Sequence, residues 1–312
     1  MTADATEVFE EHRPVLDGVA YRMLGRVADA EDVVQEAWLR WSAADRARVR
    51  EPRGYLVRVT TRLAIDRLRQ VRSRREAYVG TWLPEPLATG LAPAAGADHG
   101  DGAERAMLTE SVSLALLVVL ESLSPLERAV FVLREAFGFP FAEIAGTLER
   151  SEAAVRQLAG RARRHVAERK PRFDVDPGLR RDLTERFLEA AVDGDLDGLL
   201  RLLAPDVRLF SDPGEAKAPR RIIDGADKVG RFLAAVGPQA GNAALRFRCV
   251  ELNGGPALLA TREGRPDSVF ALDVAGGLVQ AVYVIRNPDK LAHLHAAVGA
   301  GEEGAGTSGA GR

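Results

Sequence analysis

The sequence predicts a multidomain chain: two all-α blocks followed by an α+β domain. Three observations predict it. Apolar residues recur at helical spacing through residues 1–80 and again through 109–172. Between these blocks ATGLAPAAGADHGDGA, 88–103, has the small, Gly/Ala-rich composition of a flexible linker. After Leu179 two amphipathic helices give way to short strand-like runs punctuated by glycine pairs, the layout of helices followed by an antiparallel meander. The boundaries follow: a first block over 1–80, a linker over 81–108, a second block over 109–172, a joint KPRFDVDPG at 170–178, an α+β domain over 178–295 and a tail over 296–312. The tail ends in GAGEEGAGTSGAGR, whose composition predicts disorder.

Composition narrows the function classes. A chain of 312 residues suits two or three domains, and a hydrophobic content of 46% supports packed cores. The net charge is only −2, so the whole chain is no polycation; its arginines are concentrated at 46–75 and 156–172. Local basic blocks of this kind fit nucleic acid. Cys249 is the single cysteine, which excludes an internal disulfide and a Cys-rich metal site and fits a reducing cytoplasm. The acidic start lacks a charged-then-apolar leader pattern. The longest apolar run, LALLVVL at 114–120, is too short to span a bilayer and reads as a buried helix segment.

In the first block DAEDVVQEAWLRW, 29–41, forms a helix headed by Asp29, Glu31, Asp32 and Glu36 and packed through Val33, Val34, Ala37, Trp38 and Trp41. Acids in its first turn favour the helix dipole, and they also suit docking to a basic partner. After Pro52, GYLVRVTTRLAIDRLRQVRSRREAY, 54–78, carries seven arginines, at 58, 62, 67, 69, 72, 74 and 75. Such a stretch invites phosphate contact or is a solvated face.

In the second block Ser124 caps a helix with Pro125 at its first position and Leu126, Ala129, Val130, Leu133 and Phe137 on its apolar side. Gly138-Phe139-Pro140 breaks it, a short helix with Phe141, Ile144, Ala145 and Leu148 follows, and Glu149-Arg150 turns tightly into Ser151. SEAAVRQLAGRARRHV, 151–166, then places Val155, Leu158, Ala159, Ala162 and Val166 on one face, with Ser151 as N-cap. Helix, break, short helix, tight turn and basic helix is the order of a helix-turn-helix, whose second helix enters the major groove. Arg156 and Gln157, near its N-terminal end, suit base edges; Arg161, Arg163 and Arg164 suit phosphates.

The α+β domain opens with helices around Leu183, Phe187, Leu188 and Ala191 and around Leu196, Leu199, Leu200 and Leu203. Strands are expected at 207–210, 244–252, 256–263, 268–274 and 278–286, with turns at Gly254-Gly255 and Gly276-Gly277 and a helix carrying Val229, Phe232 and Leu233 between. Asp206, Asp273 and Tyr283 are candidates to line a pocket; the competing reading puts Asp206 in a turn after Pro205 and Tyr283 in strand packing. His293 and His295 form an H-x-H that lacks the further ligands a metal site needs.

The two helical blocks together resemble a bacterial sigma factor of the extracytoplasmic-function type, over about residues 5–170. The resemblance implies a promoter-specificity subunit of RNA polymerase, with the first block as region 2 and the helix-turn-helix as region 4. It assigns Asp29, Asp32, Gln35, Glu36 and Trp38 to the polymerase core, at the β′ clamp, with region 4 meeting the β flap. It assigns Arg62, Asp66, Arg67, Arg69 and Arg72 to the −10 element, and Ser151, Arg156, Gln157, Arg161, Arg163 and Arg164 to the −35 element. TWLPEPL, 81–87, where Pro84 and Pro86 enforce an extended chain, is similar to the signature of a subgroup carrying a C-terminal SnoaL-like domain of the nuclear-transport-factor cone fold. VIRNPDKL, 284–291, is similar to that subgroup's closing motif. Its glycine-rich Asp-Gly-Gly-Gly-Lys-like loop is replaced here by SDPGEAKA, 211–218, which keeps Asp212, Gly214 and Lys217 and adds an acid. The resemblance implies an interdomain regulatory role for Trp82, Pro84, Pro86, Asp212, Gly214, Lys217, Asn287, Pro288, Asp289 and Lys290, with the extra domain modulating activity in cis.

Promoter DNA and core polymerase are therefore the expected partners in the cytoplasm, together with a small ligand of the third domain whose identity is open. No membrane contact, cofactor, metal or catalysis is expected. The alternative is a ligand-responsive helix-turn-helix regulator that never joins polymerase; the acidic helix 29–41 has no use in such a protein.

Overall fold

The computed structural model describes residues 5–76, 78, 80–88, 113–169, 176–215, 218–236 and 244–294. Most of the expected linker, most of the joint at 170–178, Lys217, His295 and the tail over 296–312 lie outside the described residues. The chain divides into two compact units. One joins Met1–Ala77 to Pro93–Pro171, and the other joins Tyr78–Ala92 to Arg172–Arg312.

The first unit opens with α1 (Ala5–Leu24), α2 (Val27–Ser42) and α3 (Pro52–Glu76), each packed on the other two. Gly25, at φ +66°, takes the left-handed conformation that ends α1 and lets the chain reverse. The Trp41 indole donates to the Ala5 carbonyl at 2.8 Å, and Trp38 meets Phe9 edge to face at 5.1 Å, so both tryptophans fasten α2 to the start of α1.

The second half of this unit contains α4 (Leu114–Glu121), α5 (Pro125–Phe131), α6 (Phe141–Leu148) and α7 (Glu152–Arg169). Ser124 and Glu127 form a reciprocal capping box at the start of α5, and Pro125 occupies the first turn, as the sequence predicts. A π-helical turn, Val132–Ala136, continues α5. Glu149 caps α6 at φ +53°, making the tight turn into α7. The predicted apolar stripe of α7, Val155, Leu158, Ala159, Ala162 and Val166, is buried throughout.

The second unit contains α8 (Pro177–Asp193), α9 (Leu196–Leu202), β1 (Leu203–Asp212), β2 (Ile223–Asp224), α10 (Ala226–Val236), β3 (Leu245–Leu252), β4 (Gly255–Arg262), β5 (Arg265–Ala275), β6 (Leu278–Ile285) and α11 (Pro288–Leu291). The strands form one sheet in the order β2-β1-β6-β5-β4-β3. Two expectations are corrected. The sheet is mixed, because β1 runs parallel to β6 beside the β3–β6 meander. The first strand begins at Leu203 rather than 207, so Leu203 leaves the helix that its spacing suggested. The pairing register then sorts the side chains. Cys249, Leu258, Phe270, Val284 and Ser211 form a lateral row on one face. Phe210 and Tyr283 stand together on the other. Helices α8, α9 and α10 cover the first face, where Phe187, Leu199, Leu209, Leu233, Leu258 and Val282 are among the core residues. Irregular registers in β1, β4/β5 and β5/β6 mark bulges that curve the sheet around them.

Candidate functional site

Helix α7 is held by its buried stripe and displays the opposite side. Ser151 Oγ accepts from the Ala154 amide at 3.2 Å, completing the predicted N-cap. Arg156 and Gln157 are exposed, and the Arg156 guanidinium lies 4.9 Å over the Phe141 ring while pairing with Glu152. Arg164 is exposed as well. Arg161 and Arg163 behave differently. Arg161 Nε donates to Glu127 at 2.9 Å and Arg163 Nε to Glu135 at 2.8 Å, so both brace α7 against α5 and the turn that continues it. Each remains about half exposed, the range in which an ion pair contributes little and exchanges readily.

Some arginines of α3 are committed within the unit. Arg67 donates twice to Asp29, at 2.6 and 3.0 Å, and approaches Asp32 at 3.5 Å. Asp29 is thereby a buried tie between α2 and α3, not the displayed docking acid that its place in the sequence suggested. Asp32 and Gln35 are exposed, Glu36 is half-exposed and paired with Arg40, and Leu39 beside them exposes 53% of its surface. Leu39 was not singled out in the sequence, where its place between Trp38 and Trp41 reads as packing. Arg69 pairs with Asp66 at 3.0 Å, and Arg72 is exposed.

Arg62 reaches across the unit: its Nε donates to the Thr147 carbonyl at 2.8 Å and its Nη2 lies 2.9 Å from Glu149. A buried ionic cluster fastens the same two halves. Glu121 takes Arg75 at 2.5 Å and also Arg128; Arg75 donates to the Leu24 carbonyl at 2.5 Å, and Arg128 to the Arg22 carbonyl at 2.9 Å. Burial pulls the Arg75 pKa below the ordinary arginine value, against the opposing field of Glu121. The segments 5–76 and 113–169 thus close on each other through α3, α5 and α6.

The second unit carries a polar anchor. Asp212, fully buried at the end of β1, accepts from the Tyr78 hydroxyl (2.6 Å), the Leu83 amide (2.8 Å) and Lys290 Nζ (2.6 Å). Lys290 is buried too; its Nζ donates to the Leu83 carbonyl at 2.5 Å and stands 4.0 Å from the Trp82 ring centroid. Asn287 caps α11 ahead of Pro288, accepting from the Asp289 amide, and donates to Tyr78 at 3.1 Å. Gly214, at φ +55°, donates to the same hydroxyl; a Cβ there would fall 2.8 Å from Asn287 Cγ. Burial, then the Asp212 hydrogen bond, push the Tyr78 hydroxyl up to about 12, so it stays a donor at neutral pH. Pro84 and Pro86 are buried, and His293 contacts the Pro86 carbonyl at 2.5 Å and Glu85 at 2.9 Å. The resemblance-derived residues, Lys217 apart, therefore converge on one cluster. The described part of the expected linker, 81–88, is fixed by it, and Trp82 packs with Lys290.

Asp206, Asp273 and Tyr283 do not line the cavity of this unit. Asp206 is exposed, and Tyr283 is buried against Phe210 on the far face of the sheet, with ring centroids 5.4 Å apart. Among the described residues no cluster of three or more His, Cys, Asp or Glu side chains is placed to hold a metal, and no helix is long and apolar enough to cross a membrane.

Residues 8–75 match the Sigma-70 region 2 family and residues 113–166 the Sigma-70, region 4 family. The chain is 41% identical over 293 residues to the ECF RNA polymerase sigma factor SigJ of Mycobacterium tuberculosis, covering 90% of this chain and 91% of that one. The chain belongs to the extracytoplasmic-function RNA polymerase sigma factors. It is also 36% identical to a probable member, SigI of the same organism, over 93% of this chain and 96% of that one. The crystal structure of M. tuberculosis SigJ superposes with a TM-score of 0.71 at 39% identity, covering 91% of this chain and 97% of that one. The likeness spans both helical regions and the C-terminal α+β domain. A regulator that never joins polymerase is set aside: this sigma factor acts in promoter-specific transcription initiation.

In the sigma factor the capping box has an acid-sensitive consequence. Burial raises the Glu127 carboxyl, but hydrogen bonds from Ser124 and Arg161 outweigh it and leave the pKa lowered. A lowered carboxyl contributes stability that is present above its unfolded value, about 4.3, and is lost as pH falls through the folded value. Glu127→Gln is expected to flatten the acid limb of the helical unit's stability below about pH 4, read by circular dichroism. An unchanged acid limb would remove Glu127 from that account.

Proposed function

We propose that α2 docks the polymerase β′ clamp through Asp32, Gln35, Glu36 and Leu39, while Trp38 fixes the helix from behind. Region 4 meets the β flap. Helix α3 captures −10 DNA with Arg62, Arg69 and Arg72, while Asp66 holds Arg69 and Arg67 ties α3 to α2. Helix α7 reads the −35 element: Arg156 and Gln157 take base edges, Ser151 holds the helix start, and Arg161, Arg163 and Arg164 take phosphates. The chain works in the cytoplasm and performs no chemistry of its own. The observation that carries this reading is α7, held by a fully buried stripe and presenting Arg156, Gln157 and Arg164 to solvent.

Elements at −35 and −10 are about 25 base pairs apart, roughly 85 Å at 3.4 Å per step. Arg62 on α3 is within 3 Å of α6, so the closed helical unit cannot read both elements at once. Promoter engagement requires the two halves to part. The second unit modulates this in cis, because the anchored segment 78–88 follows α3 directly in the chain.

The test is run-off transcription with purified core polymerase on the chain's own upstream region, full-length beside a version ending at Arg172. Specific transcripts support the sigma role, and the ratio of the two gives the sign of cis control; equal activity overturns that control. For the −35 assignments, Arg156→Ala is expected to cost about 1–3 kcal/mol of promoter affinity and to relax one base position. Arg164→Ala is expected to weaken all sequences alike and to reduce the salt slope by about 0.9. Equal losses on specific and random DNA for Arg156→Ala would reassign it to phosphate.

A further inference from the structure

Phe141 opens α6 and is half-buried, and two guanidinium groups close on its ring. Arg134 Cζ lies 4.7 Å from the ring centroid and Arg156 Cζ 4.9 Å. Both distances fall within the roughly 6 Å over which a ring quadrupole attracts a cation. Arg134 belongs to the π-helical turn that continues α5, and its Nη1 donates to the Phe139 carbonyl at 3.0 Å, which ties it to the break before α6. Arg156 belongs to the start of α7, and its Nη2 donates to Glu152 one turn earlier. One ring therefore joins the turn, the first helix of the motif and the second through a pair of cations. Helix α6 buries Ile144, Ala145 and Thr147, whereas Phe141 keeps part of its surface in solvent beside those cations.

We propose that Phe141 is a positioning residue for −35 recognition: its ring and Glu152 hold the Arg156 guanidinium in one orientation, which presents a donor fork to guanine. This rests on Arg156 reading a base edge, as proposed above. A loose arginine on a recognition helix gives up its rotamer freedom on binding, and its charge is satisfied by a phosphate as readily as by a base. Holding the guanidinium in advance removes the first cost and disfavours the second outcome. The donors suffice. Glu152 takes one hydrogen of Nη2, and the other forms an end-on pair with a hydrogen of Nη1. That pair matches O6 and N7 of guanine, the commonest specific arginine contact in the major groove. Phe141 acts through Arg156 and touches no base itself.

The test uses the full chain with core polymerase and promoter duplexes randomised across the −35 region; bound sequences are recovered and base frequencies counted at each position. The unmodified chain is expected to enrich guanine at a position where Arg156→Ala abolishes the enrichment. Phe141→Leu keeps an apolar side chain without a ring. It is expected to lower guanine enrichment at that same position by about two- to fivefold, the scale of an exposed cation–π contact, and to leave the other positions unchanged. Phe141→Tyr, which keeps a ring face, is expected to retain the enrichment. The double variant Phe141→Leu with Arg156→Ala should lose no more than Arg156→Ala alone. Thermal midpoints confirm folding, and Phe141→Met replaces the leucine variant if that one does not fold. If Arg156→Ala changes no position, the base assignment of Arg156 fails and this inference falls with it. If Arg156→Ala erases a guanine that Phe141→Leu leaves intact, the positioning role alone is overturned. A Phe141→Leu loss spread evenly over all positions, or shared by Phe141→Tyr, assigns the ring to packing and also overturns the proposal.

Discussion

Lys290→Ala is expected to lower the stability of the second unit by about 3–5 kcal/mol, because it leaves Asp212 ionised and buried without its cation. Asp212 would keep the Tyr78 hydroxyl and the Leu83 amide as donors, and neither carries a charge. The Leu83 carbonyl would lose its partner at the same time, and Trp82 its cation. The two units need not unfold together, so a single midpoint for the whole chain would blur the effect. Amide exchange over residues 80–88 isolates it, since the Leu83 amide is protected by the carboxylate in question. Faster exchange there, with the α1–α3 peptides unchanged, is the expected result. The double variant Asp212→Asn with Lys290→Met should recover part of the loss, because the amide oxygen, placed where Oδ2 stands, still accepts from the Leu83 amide without a buried charge, while the Tyr78 hydroxyl loses its acceptor. A midpoint shift below about 1 kcal/mol for Lys290→Ala would mean that water reaches the site and screens it.

Arg75→Met is expected to open the helical unit. Arg75 lies on α3, while its partner Glu121 ends α4 in the other half. Its removal breaks a largely buried pair, again worth about 3–5 kcal/mol, and frees the Leu24 carbonyl. Glu121 keeps Arg128, so α4 and α5 stay joined while the tie to α3 goes. Arg62 then remains the principal link to α6 from a half-exposed position. Small-angle scattering should show a larger radius of gyration at unchanged helical content. Promoter binding in the presence of core polymerase should tighten at least tenfold, the equivalent of about 1.4 kcal/mol. An unchanged scattering curve with normal folding would show that the closed form does not rest on this cluster, and unchanged promoter affinity in an opened variant would detach closure from control.

Helix faces were legible because a 3.6-residue period is local. All five stripe residues of α7 could be named from spacing, as could the Ser124 cap, the Pro125 start and the turn at Glu149. Partners distant in the chain were not legible. Nothing near Arg62 announces Thr147, 85 positions away, and Asp29 reads as a first-turn acid until Arg67 arrives from α3. The parallel pairing of β1 with β6 escaped for the same reason: alternation within a strand says which face is buried and not which strand lies beside it. The resemblance supplied most members of the anchor, but not its character. A lysine and an aspartate are among the residues least often fully buried, and only the fold reveals that these two are.

The anchor joins the earliest-made part of the second unit to its last. Leu83 and Lys290 are 207 positions apart, and synthesis proceeds from the N-terminus at about 5–20 residues per second. Trp82, Leu83 and the two prolines therefore leave the ribosome about 10–40 seconds before the lysine and asparagine that seat them. Over that interval every element of the promoter-reading unit up to Pro171 has been made, while the strap behind α3 has nothing to hold it. A chain released early, by a premature stop or a cut after region 4, would stay in that juvenile form, with both helices proposed to meet DNA present and an unseated segment between them. Birth order thus gives each molecule a brief state before this anchor forms, and the arrival of Lys290 closes it.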